Sequence, residues 1–184
     1  KPKKHEAEQF NLDFGTIPPI LPRRNKFGLL DNVKYEFDQN GYINWRRLVR
    51  PEYLVPNSLN FTKRGEEVPT SIEGLKDEDL IIKLAGLKEL LNVRGYENVS
   101  YVIASASLGF VSVVCKISYI PNYETADRFV SYEAIGDAST DSVSGIFQNF
   151  LGAIAENRAF SRCIRSFLRI NIVSDEEMTN NNSK

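Results

Sequence analysis

The sequence predicts an α+β domain: a helix, a three-stranded antiparallel β-meander and a long helix packed on the sheet, preceded by an irregular N-terminal region that holds a short hairpin. Three observations predict it. Leu80, Leu84, Leu87 and Leu91 recur at helical spacing. Residues 99–135 alternate apolar and polar side chains between short connections. From Val143 to Leu168 the apolar residues return to helical spacing, over about seven turns.

The elements follow in order. Residues 1–74 read as an arm or extension, broken by Pro18, Pro19 and Pro22, with a basic Arg23-Arg24-Asn25-Lys26 cluster. Val33–Phe37 and Tyr42–Trp45 flank Asn40-Gly41, a turn pair that suits a hairpin. Residues 51–72, with Pro51, Pro56, Gly65 and Pro69, read as a loop. The core is expected over 75–177. Asp77, Glu78 and Asp79 supply the acidic first turn that a helix dipole favours, and Gly95 supplies its cap. Strands are expected at 99–104, 110–120 and 128–135, with Gly136 ending the sheet. Asp137 to Asp141 offer N-caps for a helix over about 141–170. Val143, Phe147, Phe150, Ile154, Ile164, Phe167 and Leu168 are its expected core face. Gly145 and Gly152 are expected to let it approach a neighbour closely. The Asn-rich tail, 178–184, is expected to be disordered.

The 184 residues carry a net charge of −1, so a polyanion partner must be argued from the distribution of charge. The content is 42% hydrophobic and 26% charged, ordinary for a soluble domain with a real core. No apolar run approaches the roughly 18 residues of a membrane span. Basic Lys1–Lys4 precede no apolar stretch, so no secretory signal is expected. Cys115 and Cys163 fit buried free thiols in an intracellular protein.

Function is narrowed by what is missing. His5 stands alone, which argues against Ser-His-Asp, Cys-His and His-metal chemistry. No Gly-rich Lys-Ser/Thr phosphate loop is present, which removes ATP-driven recombinases and helicases. Glu124, Asp127, Glu133 and Asp137 lack the Asp…Glu-x-Lys arrangement of a metal nuclease and read as caps and turn formers. No enzymatic activity and no cofactor are expected.

The strongest positive signal is Arg158, Arg162, Arg165 and Arg169. At 100° per residue the four stay within about 60° of one another, along some 16 Å of helix. No acid lies between Asn157 and Ser174 to neutralise them, so something else must. A nucleic-acid strand is one candidate. A solvated face, or pairing with Glu66, Glu67, Glu73 or a neighbouring subunit, is the bland alternative. Tyr42, Trp45, Arg46, Arg47 and Arg50 interleave aromatics with arginines, as do Tyr119 and Tyr123 with Lys116 and Arg128. Single-strand binders combine cations with aromatic platforms.

Residues 77–177, slightly over half of the chain, resemble the Rad-fifty-two family of single-strand annealing proteins, whose wider superfamily includes phage members. The likeness rests on a helix running into Arg94-Gly95-Tyr96, a β-meander, the segment Val130-Ser131-Tyr132-Glu133-Ala134-Ile135-Gly136-Asp137, the run Arg162-Cys163-Ile164-Arg165-Ser166-Phe167, and acidic Asp175-Glu176-Glu177 after it. The resemblance implies a curved sheet backed by the long helix, assembled as a homo-oligomeric ring or filament around DNA. By that match Arg162 and Arg165 line a single-strand groove, with Lys116 and Arg128 on the hairpin. Arg158 and Arg169 come from the stripe alone. Arg46 and Arg47 inherit no role, since the first 70 residues have no counterpart in the family. Ser161 stands where the family often carries a basic residue.

The expectation is ATP-independent binding and annealing of single-stranded DNA in recombination and repair, with duplex DNA as a further partner. The setting would be a bacterial host's cytoplasm for a phage protein, or a nucleus or organelle for a eukaryotic one. The alternatives are a single-strand-binding module or recombinase loader without annealing, and a structural oligomer with no DNA role.

Overall fold

The computed structural model describes residues 22–178. Lys1–Lys4, His5, Pro18, Pro19 and the Asn-rich segment 179–184 lie outside the described residues. The fold is α+β. Its elements in chain order are β1 (Leu54–Pro56), α1 (Ser58–Arg64), β2 (Leu80–Ile82), α2 (Leu84–Arg94), β3 (Tyr96–Ser107), β4 (Phe110–Tyr119), β5 (Val130–Ser139), α3 (Leu151–Phe167) and β6 (Val173–Ser174).

The predicted meander is the main sheet, with order β3-β4-β5 and both pairings antiparallel. Residues opposite each other across a pair share a face. One face therefore carries Val99, Ile117 and Tyr132, with Tyr101, Cys115 and Ala134 in the next row. Helix α3 lies on this face over β4 and β5. Cys115, Ile117 and Tyr119 of β4 are buried beneath it, with Ala155, Ala159, Cys163 and Ile164 from the helix. The opposite face presents Ser100, Lys116 and Glu133 in one row. Both cysteines are free and buried, as read from the sequence.

Gly136 does not end the sheet; β5 continues to Ser139. A Cβ at Gly136 would lie 2.3 Å from the Ala159 backbone nitrogen and 2.5 Å from the Ala155 carbonyl. The close approach of helix and sheet thus belongs to Gly136 against Ala155 and Ala159. Gly145 and Gly152, expected to serve it, face open space.

The expected long helix is shorter at its start. A 3-10 segment occupies Gly145–Phe150, and α-helical geometry begins at Leu151. Phe147 and Phe150 belong to that segment and are exposed rather than core. The expected first helix also starts later. Asp77–Asp79 forms a separate 3-10 turn, and Leu80 belongs to β2. The acid at the N-terminus of α2 is instead Asp175, whose Oδ1 accepts the Leu84 amide at 3.1 Å from 91 residues away. Gly95 does close the helix, its amide bonding to the Leu91 carbonyl at 2.8 Å. Arg24 caps the same end by donating to the Asn92 and Val93 carbonyls.

A second small sheet, β1-β2-β6, was not expected. β1 pairs antiparallel with β2, and β6 adds to β2 in parallel. Residues 51–72 are therefore not a plain loop, since they hold β1 and α1. The Val33–Trp45 hairpin is reduced to one bridge, Phe37 with Ile43, around the Asn40-Gly41 turn. Trp45 begins a 3-10 turn and is buried in the main core. Among the described residues no helix is long and apolar enough to cross a membrane.

Candidate nucleic-acid interface

The arginine stripe of α3 splits in two. Arg158 is buried. Its Nη1 donates to the Asp137 carbonyl at 2.8 Å and to Ser142 Oγ at 3.3 Å, and its Nε donates to the Glu176 carbonyl at 2.8 Å. Burial lowers its pKa, with Asp137 and Glu176 partly opposing. The expectation that Arg158 contacts DNA is corrected: its guanidinium is consumed inside the fold.

Arg162 and Arg165 share one acid. Glu177 Oε1 lies 3.3 Å from Arg162 Nε, and Oε2 lies 2.7 Å from Arg165 Nη1. Glu177 sits in a 3-10 turn, Asp175–Glu177, that folds back against α3. Arg165 also donates to the Ile172 carbonyl and keeps 15% of its side chain exposed. Arg162 donates to the Ile135 carbonyl at 2.7 Å and keeps 42%. The compensating acid that the stripe required is thus Glu177, and not Glu66, Glu67 or Glu73. Arg162 and Arg158 also occupy carbonyls of β5, so part of that edge is covered. Edge β3 has no strand beside it among the described residues.

Arg169 departs from the other three. The helix ends at Phe167, and Arg169 adopts a left-handed backbone conformation with φ 57°. Its guanidinium lies 4.5 Å from the centroid of the Tyr42 ring, a cation–π contact. Phe167 stacks on Tyr119 at 3.8 Å, and Tyr119 pairs with Val130 at the start of β5. Arg169 therefore lies at the end of the sheet where β5 begins, as does exposed Arg128.

That end gathers aromatics as well. Tyr123 packs edge-on against Phe27 at 6.4 Å and tilted against Phe37 at 6.5 Å. Its hydroxyl donates to the Gly41 carbonyl at 2.9 Å. Phe27 is 50% exposed, Phe37 55% and Phe129 61%. Lys26 lies 5.0 Å over the Phe27 ring. Two neighbouring acids, Asp38 and Glu124, are engaged locally, while Asp127 beside Arg128 is exposed. Asp38 accepts the Asn40 and Tyr42 amides, and Glu124 accepts the Ile43 amide and Trp45 Nε1.

The remaining candidates do not join this group. Lys116 lies on the sheet face away from α3 and pairs with Glu133 at 3.0 Å. Arg46 pairs with Asp77 at 2.8 Å, and Arg47 lies 3.7 Å from Glu36. Of the eight sequence candidates, Arg128 and Arg169 are exposed toward the end of the sheet where β5 begins, and Arg158, Arg162 and Arg165 form an internal staple. Phe27, Phe37 and Phe129 were missed. The adjacent pairs Lys26-Phe27 and Arg128-Phe129 were the available signal. No family model, curated protein or solved structure matches the chain.

Proposed function

We propose that the protein binds single-stranded DNA, and anneals complementary strands without ATP, through the aromatic and cationic end of the main sheet. The observation that carries this reading is the exposure of Phe27, Phe37 and Phe129 beside Arg128 and Arg169. Exposed rings offer faces on which bases stack without regard to sequence. The two arginines supply phosphate contacts whose formation releases counterions. Arg162 is 42% exposed, but its donors are held by Glu177 and the Ile135 carbonyl, so it stays with the staple. The resemblance of residues 77–177 to single-strand annealing proteins supports the same reading, with the contacts moved from the helix face to the sheet end.

The experiment is duplex formation from complementary labelled strands, without nucleotide, followed at increasing salt. Acceleration that fades with salt supports annealing. Tight, salt-sensitive binding without acceleration leaves the non-annealing module. Absence of both overturns the reading.

Self-association is the second part of the proposal. Val102 and Ile103 are exposed on the open-edged β3, and Ile146, Phe147 and Phe150 are exposed on the 3-10 segment before α3. Apolar surface of this kind is the mark of an interaction site. A homo-oligomer that covers both would dissociate on Ile103→Glu, read as a fall in mass by light scattering. An unchanged monomeric mass in both proteins would remove oligomerisation from the account.

A further inference from the structure

Beside the aromatic end lies a cavity of about 110 Å³. Its wall is built from Tyr42, Trp45, Arg94, Glu124, Phe167 and Arg169. We propose that this cavity is a seat for one phosphate group, carried either as the free anion or at the end of a strand.

Arg94 is the reason. It is 2% exposed. Its guanidinium sits 5.5 Å from the Tyr119 ring centroid and 5.7 Å from that of Phe167. It donates to the Ile120 carbonyl at 2.9 Å and to Asn122 Oδ1 at 3.1 Å. Both acceptors are neutral, and no carboxylate among the described residues lies within ion-pair range. A guanidinium has five N–H donors, and an unpaired buried charge is costly. Burial pushes the Arg94 pKa down to about 10, with Glu124 partly opposing.

Glu124 is the one acid of the wall, and its oxygens are held by neutral donors. Oε1 accepts the Ile43 amide at 3.0 Å; Oε2 accepts Trp45 Nε1 at 3.2 Å and Asn122 Nδ2 at 3.4 Å. Arg169 adds a second cation, fixed over Tyr42. Two guanidinium groups against one carboxylate leave the cavity positive. Arginine forks match phosphate oxygens. Size is compatible with that class, since a phosphate needs on the order of two water volumes, roughly 60 Å³.

Two sources carry this chemistry: free phosphate and the terminal phosphate of a DNA strand. Trp45, the chain's single tryptophan, lines the cavity and reports on both. The full chain is titrated with inorganic phosphate against chloride at constant ionic strength. A saturable change in Trp45 emission is expected, with the midpoint raised at least tenfold in Arg169→Gln. Arg169 is exposed, so that variant keeps its fold. Arg94→Lys, checked first for an unchanged melting profile, is expected to abolish saturation. Emission that follows the chloride control overturns the seat, as does an unshifted midpoint in Arg169→Gln. Competition with 5′-phosphorylated and 5′-hydroxyl oligonucleotides then names the source. Displacement by the phosphorylated strand alone assigns the seat to a DNA end; displacement by neither assigns it to free phosphate. The seat does not rest on strand annealing. Saturable phosphate binding with no DNA affinity would sink the annealing reading and keep the seat.

Discussion

Two arginine-bearing regions of this molecule meet opposite fates. On α3, Arg158, Arg162 and Arg165 turn inward and tie the Asp175–Glu177 turn and the edge of β5 to the helix. At the end of the sheet, Arg128 and Arg169 stand exposed among aromatic rings. The difference lies in what each cation is given to bond. The first group meets carbonyls and a buried carboxylate within its own chain. In the second, Arg169 meets the Tyr42 ring face, which attracts a cation but leaves its hydrogen-bond donors open, and Arg128 is exposed. A periodic stripe of charge is therefore no measure of what is available to a partner.

Arg158→Ala strips donors from the Asp137 and Glu176 carbonyls and opens a buried space. It should cost about 3 kcal/mol of stability in denaturant unfolding, with strand affinity unchanged where the variant is folded. Glu177→Ala leaves Arg165 unpaired and should cost about 2 kcal/mol, less than a fully buried pair because Arg162 is partly solvated. An unchanged denaturant midpoint in both variants would dissolve the staple.

Phe129→Ala acts on the other region. It should lower single-strand affinity by about tenfold, equivalent to about 1.4 kcal/mol and within the range of one lost base stack, with no loss of stability. A stability loss without an affinity loss would assign the ring to the fold.

Tyr119→Phe probes the floor shared by both regions. The Tyr119 hydroxyl is buried and has no hydrogen-bond partner. Its removal should leave the stack on Phe167 intact and raise stability by about 1 kcal/mol. A fall in melting temperature would show that the hydroxyl is satisfied.

Alkaline pH gives the smallest and broadest effect. Burial raises the phenol pKa of Tyr101 and Tyr119, and that of Tyr123 to about 12. A pKa raised on folding means stability that is whole below the unfolded value of about 10 and is lost as pH climbs through the folded values. Arg94 works in the opposite sense, because its pKa is depressed to about 10 and deprotonation favours the folded state above that pH. Arg24 and Arg158 are lowered in the same sense, and Tyr35 and Tyr53 are raised with the other three phenols, so the raised phenols remain the larger set. The melting temperature should fall between about pH 10 and 12, and a rise there would place Arg94 in control.

The same contrast explains what the sequence revealed. The meander was legible because Val111 to Tyr119 alternates over a long strand whose partners follow at once. The helix face was legible from its period from Ile154 onward, while Phe147 and Phe150 kept the period but lie in the exposed 3-10 segment. The small β1-β2-β6 sheet was not legible, because strands of two or three residues carry no alternation and β6 pairs with β2 from some ninety residues away. Gly136 looked like a strand end because its packing reason, the backbone of Ala155 and Ala159, lies on another element. The arginine stripe was read correctly as periodic. Its neutraliser, Glu177, was out of sight because the chain had to reverse before it could reach back. Arg169 was counted with the stripe because its left-handed backbone conformation leaves no mark in the spacing.

In the proposed function, strand binding belongs to the sheet end and not to the helix staple. Single-strand affinity of the Arg128→Ala/Arg169→Ala double variant, measured by anisotropy across a salt series beside Arg165→Ala, tests it most directly. The account predicts a weakened double variant whose log-affinity against log-salt slope flattens by about 1.4 for two lost phosphate contacts, and an Arg165→Ala variant that loses stability while its slope is unchanged. A flattened slope in Arg165→Ala with an unaffected double variant would contradict it.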